Sequence, residues 1–223
     1  MQVRASATVV IGAVAMAVVT ATAATIGLRA SRATIDAGFR WADAPFLLSA
    51  DDAAKIGGQL TGAELARIQG TSREEVRQAY TGLRINITDR ASAFWRIAVV
   101  DAPLKLTRNR TTYPFSAAGE SRVFGPLGGS SSVAFAILAH NAIAYAPQGA
   151  SRAQILDAIG KGIGRAAVHE LAHQALGLDN LSSIDNRIDD ESYEYANADR
   201  PSQYYGELRW TTAWPVLQQK FGW

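Results

Sequence analysis

The 223-residue sequence predicts a single α+β domain, preceded by an N-terminal segment that stands apart from the fold. Three observations carry this expectation. A long helix is opened by the capping-box pattern Ser151-Arg152-Ala153-Gln154 and closed by a stop glycine, Gly177. Upstream of it, Leu83, Ile85 and Ile87 alternate with Arg84, Asn86 and Thr88, the period of a half-buried strand. Hydrophobic residues make up 48% of the chain and charged residues 19%, so a sizeable core can be buried and disorder is excluded.

Residues 1–32 are set apart by their composition. Positions 5–28 hold no charged side chain, a run long enough to cross a bilayer as a helix. The same stretch also reads as a secretory signal, with Arg4 as the n-region, 9–19 as the apolar centre and Ala21-Thr22-Ala23 as a cleavage site. A buried Ala-rich helix is the third reading. We expect a signal peptide or membrane anchor, which puts the domain over 33–223 outside the cytoplasm, secreted or tethered.

Residues 45–82 read as a helical lead-in. Thr61-Gly62-Ala63-Glu64 and Ser72-Arg73-Glu74-Glu75 both fit capping boxes, with Gly70 and Gly82 at the stops, which predicts short helices over about 62–69 and 73–81. A second strand is expected over 93–100. The Ser- and Gly-rich stretch 116–132 predicts a long loop, and 133–145 predicts one or two apolar strands ended by Pro147. The sheet and the long helix thus occupy 83–177. Gly160, Gly162 and Gly164 interrupt that helix; no strand leads into them, so close packing on the sheet explains them better than dinucleotide binding. The remainder, 178–223, is a loop followed by a C-terminal helix with Trp210, Trp214, Leu217 and Phe221 along one core-facing stripe.

Composition narrows the chemistry. The chain has no cysteine, which excludes disulfides, thiol catalysis and Cys-ligated metals. Net charge is only +2, so no nucleic-acid partner is expected. The local basic excess over 84–122 (Arg84, Arg90, Arg96, Lys105, Arg108, Arg110 and Arg122) reads as a solvated face. Any metal must be held by carboxylates and by the three His, two of which stand in one motif. His169-Glu170-Leu171-Ala172-His173 closes the long helix, where residues four apart lie one above the other and their imidazoles can converge on one ion. A Glu directly after the first His can reach the open side of that ion and accept a proton from its water. Random placement of these residue types yields this pattern about 0.0014 times in a chain of this composition, so accident is a poor account of it.

These five residues resemble the active-site helix of the zincin metallopeptidases. The resemblance implies a zinc ion, Zn2+, on His169 and His173, and Glu170 as general base and then acid. It also implies a mixed sheet beside the helix, with an edge strand that pairs with an extended peptide or protein substrate. It spans only the motif and names no subfamily.

Catalytic zinc usually takes three protein ligands, so one more is required. His140, the remaining His, is expected in a strand. Among the acidic residues after the helix, Asp179 has the metzincin distance, but this chain places its glycine at Gly177, one residue late. Glu191 and Glu194 have the gluzincin distance without a helical context. Asp189, followed by Tyr193 and Tyr195, resembles the aspzincin arrangement, although Arg187-Ile188 replace that family's lead-in and the loop is longer. We take Asp189 as the expected third ligand, with Asp179, Asp185, Asp190 and Glu194 as the alternatives. Tyr193 is the candidate phenol for donating to an oxyanion. The expected activity is zinc-dependent peptide hydrolysis; the competing expectation is a non-catalytic zincin-like interaction module at the cell envelope.

Overall fold

A computed structural model describes residues 33–108, 111–177 and 191–223 of the chain. The predicted leader, 1–32, lies outside these residues, as does the segment carrying Asp179, Asp185, Asp189 and Asp190. In chain order the elements are β1 (Ile35–Trp41), α1 (Ala50–Lys55), α2 (Gly62–Ala79), β2 (Ile85–Thr88) and β3 (Trp95–Val100). Then follow β4 (Leu104–Arg108), β5 (Thr111–Ala117), β6 (Gly119–Val123), β7 (Gly129–Ala134), α3 (Phe135–Ala144) and α4 (Arg152–Leu176). Two short helices, α5 (Ser202–Tyr205) and α6 (Trp214–Phe221), complete the chain. The class is α+β, as expected.

The main sheet is mixed and five-stranded, in the order β2-β1-β3-β7-β6. β1, β2, β3 and β7 run parallel; β6 is antiparallel to β7 and forms the edge. β4 and β5 form a separate antiparallel hairpin. On β3, Trp95, Ile97 and Val99 are buried and alternate with Arg96, Ala98 and Val100, so one face of the sheet closes on the helices.

The two helices foreseen over 62–81 are one. Gly70 is exposed and Ile68, Ser72 and Val76 are buried on one face, so packing against α4 carries the helix through the glycine and overrides its propensity cost. The Thr61 capping box is present, with Thr61 Oγ1 accepting from Glu64 N and Glu64 Oε2 accepting from Thr61 N.

The stretch 133–145 also differs from expectation. β7 ends at Ala134 and α3 begins at Phe135, burying Phe135, Leu138, Ala139, Ala142 and Ile143. Those positions keep helical spacing, and the segment has few β-branched side chains. Conversely, the Ser- and Gly-rich stretch read as a loop supplies β6 and most of β7. β1 and the hairpin were not foreseen at all.

α4 runs as expected from its Ser151 capping box to Gly177, which adopts φ 72° and directs its N–H at the Gln174 and His173 carbonyls. Its three glycines face other helical segments and not the sheet. A Cβ at Gly160 would overlap Thr71, one at Gly164 would overlap Glu75 and the Ser72 carbonyl, and one at Gly162 would enter the Tyr204 ring. Gly160 and Gly164 let α2 and α4 approach closely, Gly162 admits the Tyr204 ring, and ion pairs flank the α2–α4 contact. Arg152 forks onto Glu64, Arg67 pairs with Asp157 through two 2.7 Å bonds, and buried Arg165 reaches Glu75 at 3.0 Å. Among the described residues no helix is long and apolar enough to cross a membrane.

Candidate metal centre

The last two turns of α4 carry the motif. His169 and His173, four residues apart, meet edge to face, with ring planes at 86° and ring centroids 4.7 Å apart. Their Nε2 atoms stand 3.1 Å from each other. At the usual Zn–N distance of about 2.05 Å, that separation subtends about 100° at a shared ion, close to a tetrahedral angle. His173 is 1% exposed, so its ring is held by packing. The partial negative charge at a helix C-terminus also favours a cation here. Two imidazole nitrogens at this separation are compatible with zinc as two of its ligands.

Glu170 is 6% exposed and turns toward the sheet edge. Its Oε2 accepts from Ser121 Oγ on β6 at 2.5 Å. Its carboxylate lies directly over Gly119, where any Cβ would overlap Oε1. One turn later, Gln174 is buried against Gly129 on β7 and bonds to the Arg96 backbone and to Ser131. β6 and β7 are thus rich in Gly and Ser because polar side chains of α4 descend onto them. Sequence reasoning missed Gly119, Ser121, Ser131 and Gln174; the small-residue density over 116–132 was the signal for the first three.

The other candidates fall in different places. His140 lies on α3, not in a strand, with Nδ1 at 3.0 and 3.1 Å from the Asp52 carboxylate oxygens. Glu194 is fully buried and committed elsewhere: its carboxylate accepts from Ser192 Oγ, from the Thr211 N–H and hydroxyl, and from the Ala213 N–H. These bonds pin the returning chain, together with the Tyr193 N–H to Arg209 carbonyl bond at 3.0 Å. Glu194 is a structural carboxylate and is dropped as a ligand candidate.

Tyr193 has a different partner from the one expected. Its hydroxyl donates to Glu75 Oε1 at 3.0 Å and its ring packs on Trp210, so its donor is already spent. Burial, with the Glu75 carboxylate, pushes its phenol well above the ordinary tyrosine range. Tyr195 is buried too, and its hydroxyl has no hydrogen-bond partner among the described residues.

Asp189, Asp179, Asp185 and Asp190 lie outside the described residues, and among those that are described no group of three metal-ligating side chains gathers. Comparisons of the chain with protein-family models, curated proteins and solved structures return no match.

Proposed function

We propose that this chain is a zinc-dependent peptidase built on a zincin-like domain. The observation that carries the reading is the pair of imidazole Nε2 atoms at 3.1 Å on a helix whose intervening Glu170 lies against an antiparallel edge strand. His169 and His173 would hold the ion, and a carboxylate of the 178–190 segment, Asp189 by preference, would complete its protein ligands. Bound zinc supplies Lewis acidity that brings the pKa of its water toward 7.

The chain's own residues do the rest. Glu170 would take a proton from the attacking water and return it to the leaving amine, as general base and then acid. Among the described residues β6 pairs with β7 on one side only, so its other edge can offer backbone donors and acceptors to an extended peptide. The apolar leader fits a site of action outside the cytoplasm. A module kept only for binding would need no carboxylate between its two His.

The deciding experiment is cleavage of an unfolded protein substrate by the wild type and Glu170→Gln, with zinc measured on both. The variant should keep its zinc and lose at least about 10²-fold in rate, the scale that general acid–base catalysis contributes. Equal cleavage by both proteins would sink the catalytic reading.

A further inference from the structure

We infer that Ser121 is a positioning residue for Glu170: its hydroxyl donates to carboxylate oxygen Oε2 and holds the carboxylate over Gly119. The catalytic consequence rests on the peptidase reading above; the pinning rests on hydrogen bonds alone.

The chain of bonds begins in the sheet backbone. The Arg96 N–H of β3 donates to Gln174 Oε1 at 3.2 Å, and Gln174 Nε2 donates to the Arg96 carbonyl at 3.0 Å. These two bonds fix which end of the amide is oxygen and which is nitrogen. Nε2 can only donate, and it reaches Ser131 Oγ at 2.5 Å. Ser131, having accepted, turns its own hydrogen toward Ser121 Oγ, 2.6 Å away and nearer than the Glu170 carbonyl at 3.5 Å. Ser121, having accepted in turn, has one hydrogen left to give. Two acceptors are within reach: Glu170 Oε2 at 2.5 Å and the Glu170 carbonyl at 2.9 Å. The carboxylate is the shorter contact and the charged one, so it takes the bond.

Apart from the Gln174 Nε2 bond back to the Arg96 carbonyl, the donations therefore run one way, from the β3 N–H to the carboxylate. Ser121 and Ser131 are 5% exposed and Gln174 4%, so little water competes with the chain. Successive donors polarise one another, which strengthens the last bond. The two glycines belong to the same device. A Cβ at Gly129 would overlap the Gln174 amide and one at Gly119 the Glu170 carboxylate, so both ends of the chain need a bare backbone. With Ser121 in place, Oε1 lies against Gly119 of the edge strand.

The test uses the full chain with Ser121→Ala, Ser131→Ala and Glu170→Gln, singly and with Ser121→Ala combined with Glu170→Gln. Melting after chelator treatment reads the pinning without catalysis. Ser121→Ala should lower the melting temperature clearly more in the wild-type background than in the Glu170→Gln background, because a bond to a carboxylate is stronger than one to an amide. Equal shifts in both backgrounds overturn the pinning.

Kinetics on the zinc-loaded proteins read the consequence. Ser121→Ala should lower kcat by about 10- to 100-fold with KM and zinc content unchanged, as expected for a misplaced catalytic group. Ser131→Ala should lower kcat less, because it removes only the donor behind Ser121. In the Glu170→Gln background Ser121→Ala should change kcat less than about 2-fold, since no base remains to be placed. An unchanged kcat in Ser121→Ala, or the same loss in both backgrounds, overturns the positioning role. If the wild type cleaves nothing, the peptidase reading fails, and the melting comparison alone decides whether Ser121 holds Glu170.

Discussion

Zinc should raise the melting temperature of this protein, and His173→Ala should erase that rise. The 3.1 Å between the two Nε2 atoms permits one ion to bind both rings without moving the helix. A ligand that binds only the folded state, at about 100 times its dissociation constant, adds about 2.7 kcal/mol of stability. For a domain of this size each kcal/mol moves the melting temperature by about 2–4 °C. The expected rise is therefore about 5–11 °C. His173→Ala carries its own cost, because the ring is 1% exposed and its removal leaves a cavity. The comparison must accordingly be made within each variant, chelated against zinc-loaded, by thermal denaturation with elemental analysis in parallel. Wild type should bind one zinc per chain and His173→Ala should show neither stoichiometric metal nor a zinc-dependent shift. An undiminished shift in the variant would refute the site.

Three further outcomes separate ligand, structural and packing roles. Asp189→Asn should reduce zinc affinity and hydrolysis together, whereas Glu194→Gln should retain zinc while destabilising the fold by about 2–3 kcal/mol, since it sets an amide against the buried donors of Thr211 and Ala213; zinc titration and urea unfolding of both check this. Glu64 is held down at about 2 by the Arg152 guanidinium and the Thr61 N–H, so it stabilises the fold fully above its ordinary 4.5 and loses that contribution as pH falls toward 2. The gap in melting temperature between wild type and Glu64→Gln should accordingly close between pH 5 and pH 2. Gly162→Ala should destabilise by about 1–3 kcal/mol through overlap with the buried Tyr204 ring, with zinc stoichiometry unchanged, and a urea midpoint equal to wild type would count against the close packing described.

The motif was legible because it is local. Residues 169–173 need only a helix to bring two rings together, and the Ser151 box and Gly177 stop announce that helix. Strands β2 and β3 showed their alternation for the same reason. What stayed hidden depends on distant partners. Nothing near Ser121 tells that it meets Glu170, which lies 49 positions along the chain. Small residues over 116–132 read as a loop because the composition that suits turns also suits a strand receiving polar side chains from above. Gly70 looked like a stop because its local cost is visible, whereas the packing of α2 on α4 that outweighs it is not. In α3 the helical spacing of Phe135, Leu138 and Ala142 was present, but a short, nearly all-apolar run carries little contrast between its faces. For Tyr193, sequence proximity to an acidic loop suggested a metal-facing phenol; the Glu75 carboxylate from α2 had already claimed it.

α4 touches nearly everything. It packs on α2, α3, β3, β6, β7, α5 and the turn at Tyr193, and its far end is clamped through Arg152 to the carbonyls of Ile56, Gly58 and Gln59. A helix enclosed in this way has no inexpensive partial opening, so its amides belong with the slowest to exchange with deuterium, at rates set by global unfolding. The two imidazoles thus sit on the part of the molecule that comes apart last. An ion that binds there should meet imidazoles already in place, so that its removal and return need no refolding step.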